Sequence, residues 1–348
     1  LLTLEAKGFV RRGGPGASVI PLSAIPERAS SEPPPARRYH FVHFPQRWAQ
    51  RLFSKPVLGL ATGVIALAMT AVAIDPSLVP RPSALYFGSR RSLTLLILFL
   101  WNLLTLFVHE MGHLLAARAI GVPARMGISH RLWILVAETD LTGLWSVPKR
   151  QRYLPLLAGA WIDLLSLSLL LLAFRAQESG WILWPPSLYA FARAIAFSYM
   201  LRLLWQCFFF VRTDFYYVLI TFLGSINLMQ NTKSFLRTKV ARALPWVRAA
   251  AREPLPAAEA KAVRIYAPFY LAGRLLAFWT LFFVTLPFLG HYLIVVARAL
   301  RTGFAQDPAG FLDSMLLSCL LVGPTLIGLL LWLRKVSRPL LSRWSTTS

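Results

Sequence analysis

Acidic residues are scarce in this sequence: 14 Asp and Glu stand against 37 Lys and Arg, which gives a formal net charge of +23. Charged residues of both signs make up only 15% of the 348 positions, whereas 56% are hydrophobic. Soluble globular domains carry about 25% charged residues, so the composition excludes an ordinary soluble domain and indicates a membrane protein. The basic residues lie between the apolar runs, which suits loops that face an anionic cytoplasmic leaflet.

Cysteine is nearly absent as well. Cys207 and Cys319 both lie in apolar segments, which excludes a disulfide framework and predicts buried structural thiols. Zinc-finger spacings and the interleaved basic and aromatic residues of nucleic-acid-binding grooves are also missing. We therefore expect the lipid bilayer as a partner and no nucleic acid.

Long apolar runs dominate the rest of the chain, and about 20 apolar residues suffice to cross a bilayer. Six runs have this character: residues 57–74, 92–120, 153–174, 189–211, 268–296 with a kink at Pro287, and 311–333. A further short apolar helix is predicted from Asp214 to about Met229, and residues 121–145 have the β-branched and aromatic pattern of a strand or hairpin. The predicted fold is an all-α polytopic membrane protein of about six transmembrane helices, with a short β hairpin near the cytosolic face.

Four regions follow from this pattern. Residues 1–55 are basic and rich in proline without a secretory signal pattern, so we expect a cytosolic linker or the tail of another domain. Residues 56–229 form the predicted membrane core, 230–265 a basic cytosolic loop, and 266–348 the last transmembrane helices with a basic tail. Lys and Arg concentrate before the first span, after the second and fourth spans and in the tail, which predicts that both termini are cytosolic.

A polar motif interrupts the second apolar run. His109 and His113 are four residues apart and lie on one face of a helix, with Glu110 beside them. This is the H-E-x-x-H pattern of zinc metallopeptidases, in which the glutamate takes a proton from water activated by zinc. A dication would stabilise these polar groups at membrane depth. The competing interpretation is that they hydrogen-bond neighbouring helices.

A catalytic zinc usually has three protein ligands, so one more residue is needed. Four acids compete for this role: Glu138, Asp140, Asp163 and Asp214. The first two lie in the strand-like segment and suit a hairpin or a substrate contact. Asp163 can bind metal, substrate, or an arginine such as Arg193 or Arg202. Asp214 begins a helix, where acids also serve as caps, and the residues alone leave the choice open.

Three segments also resemble a known family: "FVHEMGHLLAARAIGVPARMGI", "ETDLTGLWSVPKRQRYLPLLAGAWIDLL" and "RTDFYYVLITFLGSINL". Their order and spacing resemble the site-2 protease clan of intramembrane zinc metallopeptidases, and most of all a bacterial branch of peptide zinc metalloproteases. The resemblance covers residues 39–237. It implies that His109, His113 and Asp214 bind one Zn²⁺ per chain, that Glu110 is the general base, and that Asp163 faces the substrate or the developing oxyanion.

The sequence departs from that family at the substrate-binding loop. The family's Asp-Gly is Asp214-Phe215 here, its Gly-Pro turn is Gly159-Ala160, and an aromatic run at residues 208–210 replaces its Asn-Pro. All three implied ligands and the base are present. The departures therefore concern substrate binding more than the metal.

The expected function is that of an intramembrane zinc metalloendopeptidase that hydrolyses a peptide bond of a membrane-associated or modified peptide, in a bacterial cell membrane. The strand near residues 132–136 is expected to pair with an extended substrate. The alternative is a peptide export or immunity component with a non-catalytic or absent metal site. In that interpretation Arg193, Arg202 and Asp163 form a polar pathway. An inactive scaffold descended from a protease is a third possibility.

Overall fold

The computed structural model describes residues 44–85, 87, 91–131, 134–225, 227–243 and 256–344. Of the predicted linker at residues 1–55, residues 1–43 lie outside them, whereas Gln46–Leu52 form a helix. The helices are α1 (Gln46–Leu52), α2 (Lys55–Ile74), α3 (Arg91–Ala119), α4 (Lys149–Glu178), α5 (Pro186–Gln206), α6 (Asp214–Leu223), α7 (Leu228–Ala243), α8 (Ala257–Thr280), α9 (Leu286–Thr302) and α10 (Pro308–Trp344). Two strands, β1 (Arg125–Arg131) and β2 (Ile134–Asp140), lie between α3 and α4.

Five segments of the described chain are long and apolar enough to cross a membrane: α2, most of α3, α4, the continuous stretch Glu259–Thr302 of α8 and α9, and Pro308–Arg334 of α10. The predicted all-α polytopic fold is therefore confirmed. The predicted fourth span forms the 21-residue helix α5, but it is not among the five. Arg193 and Arg202 account for this difference, because both lie inside α5 and reduce its apolar character.

Helices α8 and α9 are joined by a π-helical turn at Leu281–Thr285, and Pro287 is the second residue of α9. Proline has no backbone N–H and cannot continue a regular ladder of helical hydrogen bonds. A π turn is one way in which a helix accommodates such an interruption. The irregularity predicted at Pro287 thus begins six residues before it.

The predicted hairpin is present. Strands β1 and β2 pair antiparallel, with Arg125 opposite Asp140 and Arg131 opposite Ile134. Strand β2 packs against both α3 and α10. The segment expected to pair with a substrate is only partly covered, because Leu132 and Trp133 lie outside the described residues.

Helix α6 is shorter than predicted. It ends at Leu223 because Gly224 adopts a left-handed conformation with φ of +69°, which glycine adopts without the steric penalty of a side chain. The chain then starts the separate helix α7, which occupies part of the predicted basic loop. Residues 244–255 of that loop lie outside the described residues.

Helices α3 and α4 approach each other closely at Gly112. A Cβ atom on Gly112 would contact the Ile162 side chain and lie 3.2 Å from the Ala158 carbonyl oxygen. The absence of a side chain at Gly112 allows this close approach, which brings the polar motif of α3 against the middle of α4.

The two cysteines, Cys207 and Cys319, are correctly predicted to be free, but both are exposed rather than buried. In a membrane protein an apolar helix surface can face lipid, so an apolar neighbourhood in sequence does not require burial in protein.

Candidate metal centre

Helix α3 presents both histidines of the motif to one point. His109 and His113 are each only 2% exposed, and their Nε2 atoms lie 3.2 Å apart. The four-residue spacing places them one helical turn apart on the face that packs against α4. The prediction that the two imidazoles can meet one ion therefore agrees with their positions.

Asp214 reaches the same point from the start of α6. Thr213 caps this helix by accepting a hydrogen bond from the Tyr216 amide, and the Gln206 side-chain oxygen accepts one from the Asp214 amide at 3.0 Å. These bonds fix the first turn of α6. The Asp214 Oδ2 atom then lies 3.2 Å from Nε2 of His109 and 3.2 Å from Nε2 of His113.

The two nitrogens and the carboxylate oxygen thus form a triangle with three equal edges. In a tetrahedral zinc site with bonds of about 2.0–2.1 Å, neighbouring ligand atoms lie about 3.3–3.4 Å apart. The observed edges of 3.2 Å are close to that value. The triangle fits a zinc ion in size and in donor chemistry.

The other nitrogen of each imidazole supports the same conclusion. His113 Nδ1 lies 2.7 Å from the Pro155 carbonyl oxygen, which can only accept, so Nδ1 carries a proton. His109 Nδ1 lies 2.7 Å from Asp163 Oδ2. A neutral ring that keeps its proton on Nδ1 has the lone pair of Nε2 free to bind a metal ion. Histidine ligands of metals are usually oriented by such Nδ1 partners.

Asp163 lies behind His109, on the side of the ring opposite the triangle. It is fully buried, and its Oδ2 also accepts a 2.8 Å bond from Arg202 Nε. Arg202 in turn donates to the Thr105 hydroxyl at 3.1 Å. Asp163 was expected to bind a metal, a substrate or an arginine, and the structure shows the contact with an arginine, Arg202. Its Oδ1 atom has no hydrogen-bond partner in the described part of the chain.

Glu110 lies beside the two histidines, and one ligand-type atom from each of these three residues lies within 4.8 Å of the others. Asp214 lies closer to the imidazoles than this, with its Oδ2 atom 3.2 Å from each Nε2 atom. The Thr139 hydroxyl of β2 lies 2.7 Å from Glu110 Oε2 and 3.0 Å from the Glu110 carbonyl oxygen, and the carboxylate is the nearer acceptor for its single proton. The hairpin therefore orients the carboxylate predicted to be the base.

The remaining acids of the strand segment are not part of the triangle as far as the structure describes them. Asp140 bonds Arg125 at 2.8 Å and accepts from the Thr142 amide at 3.1 Å. Burial acts to raise the pKa of Asp140, but the hydrogen bonds from Thr142 and Arg125 outweigh it and hold the pKa below the ordinary value of 3.8. Asp140 is thus a hairpin group, and the side chain of Glu138 lies outside the description.

Gly159 of α4 leaves an opening next to the triangle. A Cβ atom at this position would lie 2.6 Å from His109 Nε2 and would overlap His113 Nε2. The space that a metal or a reacting group needs is therefore available only because residue 159 has no side chain. The sequence showed Gly159 as part of a family turn, without indicating this contact.

Three supporting groups were missed by the sequence reasoning: the hydroxyl of Thr139, the side chain of Gln206 and the carbonyl of Pro155. None belongs to a motif whose spacing points to the metal. Thr139 lies next to Asp140 in the predicted strand. The sequence placed that strand near the polar motif but did not indicate which of its side chains contacts Glu110. The backbone carbonyl has no sequence signal.

Comparison of the chain with protein-family models, with curated proteins and with solved structures found no match. The resemblance to the site-2 protease clan therefore stays a prediction.

Proposed function

We propose that this protein is an intramembrane zinc metalloendopeptidase of the site-2 protease kind. One observation carries the proposal: two imidazole nitrogens and a carboxylate oxygen form a triangle with 3.2 Å edges inside a membrane helix bundle, with Glu110 beside it. These are the donor atoms that a tetrahedral zinc site needs, and their spacing is close to the one that zinc requires.

His109, His113 and Asp214 would hold the zinc. When bound, zinc polarises a carbonyl group and lowers the pKa of a water molecule. Glu110 accepts a proton from the attacking water at a carboxylate oxygen and passes it to the leaving amine as the peptide C–N bond breaks. Thr139 holds the glutamate, while Asp163 and Pro155 fix the orientation of the two rings.

The substrate class follows from the surroundings. The centre lies between helices that are apolar enough to cross a membrane, so we expect the natural substrate to be membrane-associated. A helical peptide bond is shielded by its own backbone, and the substrate must present an extended stretch. The hairpin next to Glu110 is suitably placed to receive it.

Orientation is also proposed, with both termini cytosolic in a bacterial cell membrane. This requires an even number of crossings, and therefore α5 must cross as a sixth span. Its 21 residues are about 31 Å long at 1.5 Å per residue, which is enough. The charge of Arg202 is compensated inside the bundle by Asp163.

The alternative function, peptide export or immunity, depends on a polar pathway through Arg193, Arg202 and Asp163. Asp163 instead bonds both Arg202 and His109. This pairing favours the metal centre over a pathway.

The test is a hydrolysis assay on detergent-purified full chain, with fluorescein-labelled casein as an unfolded substrate. We expect hydrolysis that a zinc chelator stops and added zinc restores. Glu110→Gln should abolish it while zinc stays at about one per chain, since glutamine cannot accept the proton. Hydrolysis at the wild-type rate by this variant would contradict the proposal.

A further inference from the structure

A second polar site lies at the other end of α3. A cavity of about 260 Å³ is formed by the segment between α2 and α3 and by the first turns of α5, and its polar lining includes Arg81, Ser83, Tyr189 and Arg193. A water molecule occupies roughly 30 Å³ of liquid volume, so the cavity is large enough for a group of several heavy atoms. It is separated from the metal centre by about 27 Å along α3, the rise between residues 91 and 109.

Arg193 is held in place without a counter-charge. Its guanidinium donates to the Tyr189 hydroxyl at 3.2 Å and to the Ser77 carbonyl at 3.4 Å. It also lies over the rings of Phe174 and Tyr189 at 5.5 and 5.8 Å. In the part of the chain that the structure describes, neither Arg193 nor Arg81 forms an ion pair with a carboxylate.

Asp75 is the carboxylate nearest to Arg81 in sequence, and it contacts Ser77 and Arg175 instead of Arg81 or Arg193. It accepts bonds from the hydroxyl and the amide of Ser77 at 2.7 and 3.0 Å, and it faces Arg175 at 3.8 Å. The hydrogen bonds from Ser77 hold the pKa of Asp75 below its ordinary value of 3.8. The cavity therefore presents two guanidinium groups with no acid assigned to them.

Exposed apolar side chains near the cavity favour a position at the level of lipid headgroups. The short connection between α4 and α5 exposes Trp181 and Leu183, each 85% accessible, and tryptophan is enriched at the boundary between lipid and water. The same connection leads into α5, whose first turns line the cavity. Phe87 adds an apolar wall.

We propose that this cavity binds the headgroup phosphate of an anionic phospholipid. Arg81 and Arg193 face the phosphate, and the Tyr189 hydroxyl, which accepts from Arg193, has its own proton free to donate. Arginine is well suited to phosphate because its planar fork can donate two parallel bonds. Phe87 lies beside the glycerol end of the lipid. We infer a membrane lipid rather than a free anion because the exposed Trp181 and Leu183, just before α5, favour the boundary between lipid and water.

The test is native mass spectrometry of the detergent-purified full chain, titrated with phosphatidylglycerol and, separately, with phosphatidylcholine. We expect one tightly bound phosphatidylglycerol and weaker binding of phosphatidylcholine. Arg81→Gln and Arg193→Gln should each weaken phosphatidylglycerol binding roughly tenfold, the size expected for loss of a charge-assisted hydrogen bond.

The matched control is Arg175→Gln. It removes one positive charge at the same end of the bundle, but Arg175 does not line the cavity and faces Asp75 instead. We expect affinity within about twofold of the wild type, because an exposed charge outside the cavity is screened by salt. An equal loss in all three variants would show a general charge effect and overturn the proposal. Unchanged binding in both cavity variants would overturn it too.

Two further arms complete the design. Arg193 hydrogen-bonds neighbouring groups, so its replacement by glutamine can prevent folding. Arg81 is exposed and lies in a loop. If Arg193→Gln does not fold, lipid binding by Arg81→Gln alone decides between the outcomes. Competition with millimolar inorganic phosphate should leave the lipid bound. Displacement of the lipid by phosphate would assign the cavity to a free anion and contradict the lipid proposal.

Discussion

Spacing within one helix predicts side-chain positions well at the residue scale. His109 and His113 share a face of α3 because a helix repeats every 3.6 residues, and no knowledge of the rest of the fold was needed to place them together. Asp214 is different: it lies more than 100 residues away, and only the family resemblance favoured it over Asp163. Residues alone could not separate the two, because both are acids in apolar surroundings.

The role of Asp163 gives the first prediction. Asp163→Asn keeps the shape but removes the charge that holds His109 Nδ1, and such partners of metal ligands typically change affinity roughly 10- to 100-fold. We expect weaker zinc binding of that size, measured by competition with a chelator. Zinc affinity should be unchanged in the control Asp140→Asn, whose carboxylate bonds Arg125 instead.

Two results would contradict this role. Complete loss of zinc in Asp163→Asn would make Asp163 a ligand. Wild-type affinity would show that its bond to His109 does not support the metal.

Thr139 gives the second prediction, as a positioning residue for Glu110. Thr139→Val removes the hydroxyl that donates to Glu110 Oε2 at 2.7 Å. Loss of one such bond corresponds to about a tenfold fall in kcat, with zinc content and KM little changed. Thr139→Ser keeps a hydroxyl and should restore most of the rate. A valine variant with full kcat, or a serine variant as slow as valine, would argue against this role.

At the scale of elements, the close approach of helices α3 and α4 determines the geometry of the metal centre. Glycine in these helices was visible in the sequence, but the partner of each glycine was not, since contacts between helices depend on packing geometry. The ends of elements were similarly hard to predict. The left-handed turn at Gly224 ends α6 earlier than its apolar pattern suggested.

Gly159→Ala is the prediction for this helix pair. The added Cβ would overlap the imidazole of His113 and lie 2.6 Å from Nε2 of His109, so we expect the variant to lose most of its zinc while its helix content stays the same. Metal analysis and circular dichroism measure the two quantities. Gly63→Ala in α2 is the control, because nothing lies within 4 Å of its added Cβ. Full zinc in Gly159→Ala would contradict the geometry of the centre.

For the whole molecule, the sequence predicted the membrane class because composition and run length reflect the bilayer directly. Five of the six predicted spans lie in helices that are long and apolar enough to cross a membrane, and the sixth, α5, carries two arginines. The sequence named both arginines as possible partners of Asp163, and the fold selects Arg202. Whether α5 crosses the membrane decides where the C-terminal half lies.

Topology can be measured with single cysteines in a variant that lacks Cys207 and Cys319. Six crossings predict that a membrane-impermeant maleimide labels Ser179→Cys from outside intact cells, whereas Arg242→Cys in α7 is labelled only after the membrane is opened. Labelling of Arg242→Cys from outside would mean that α5 does not cross.

The most direct test of the metal centre is zinc quantification on detergent-purified protein, with the wild type compared with Asp214→Ala. The triangle of His109, His113 and Asp214 predicts about one zinc per wild-type chain and almost none in the variant. A variant that retains the full amount of zinc, or a wild type that binds none when zinc is supplied, would contradict it.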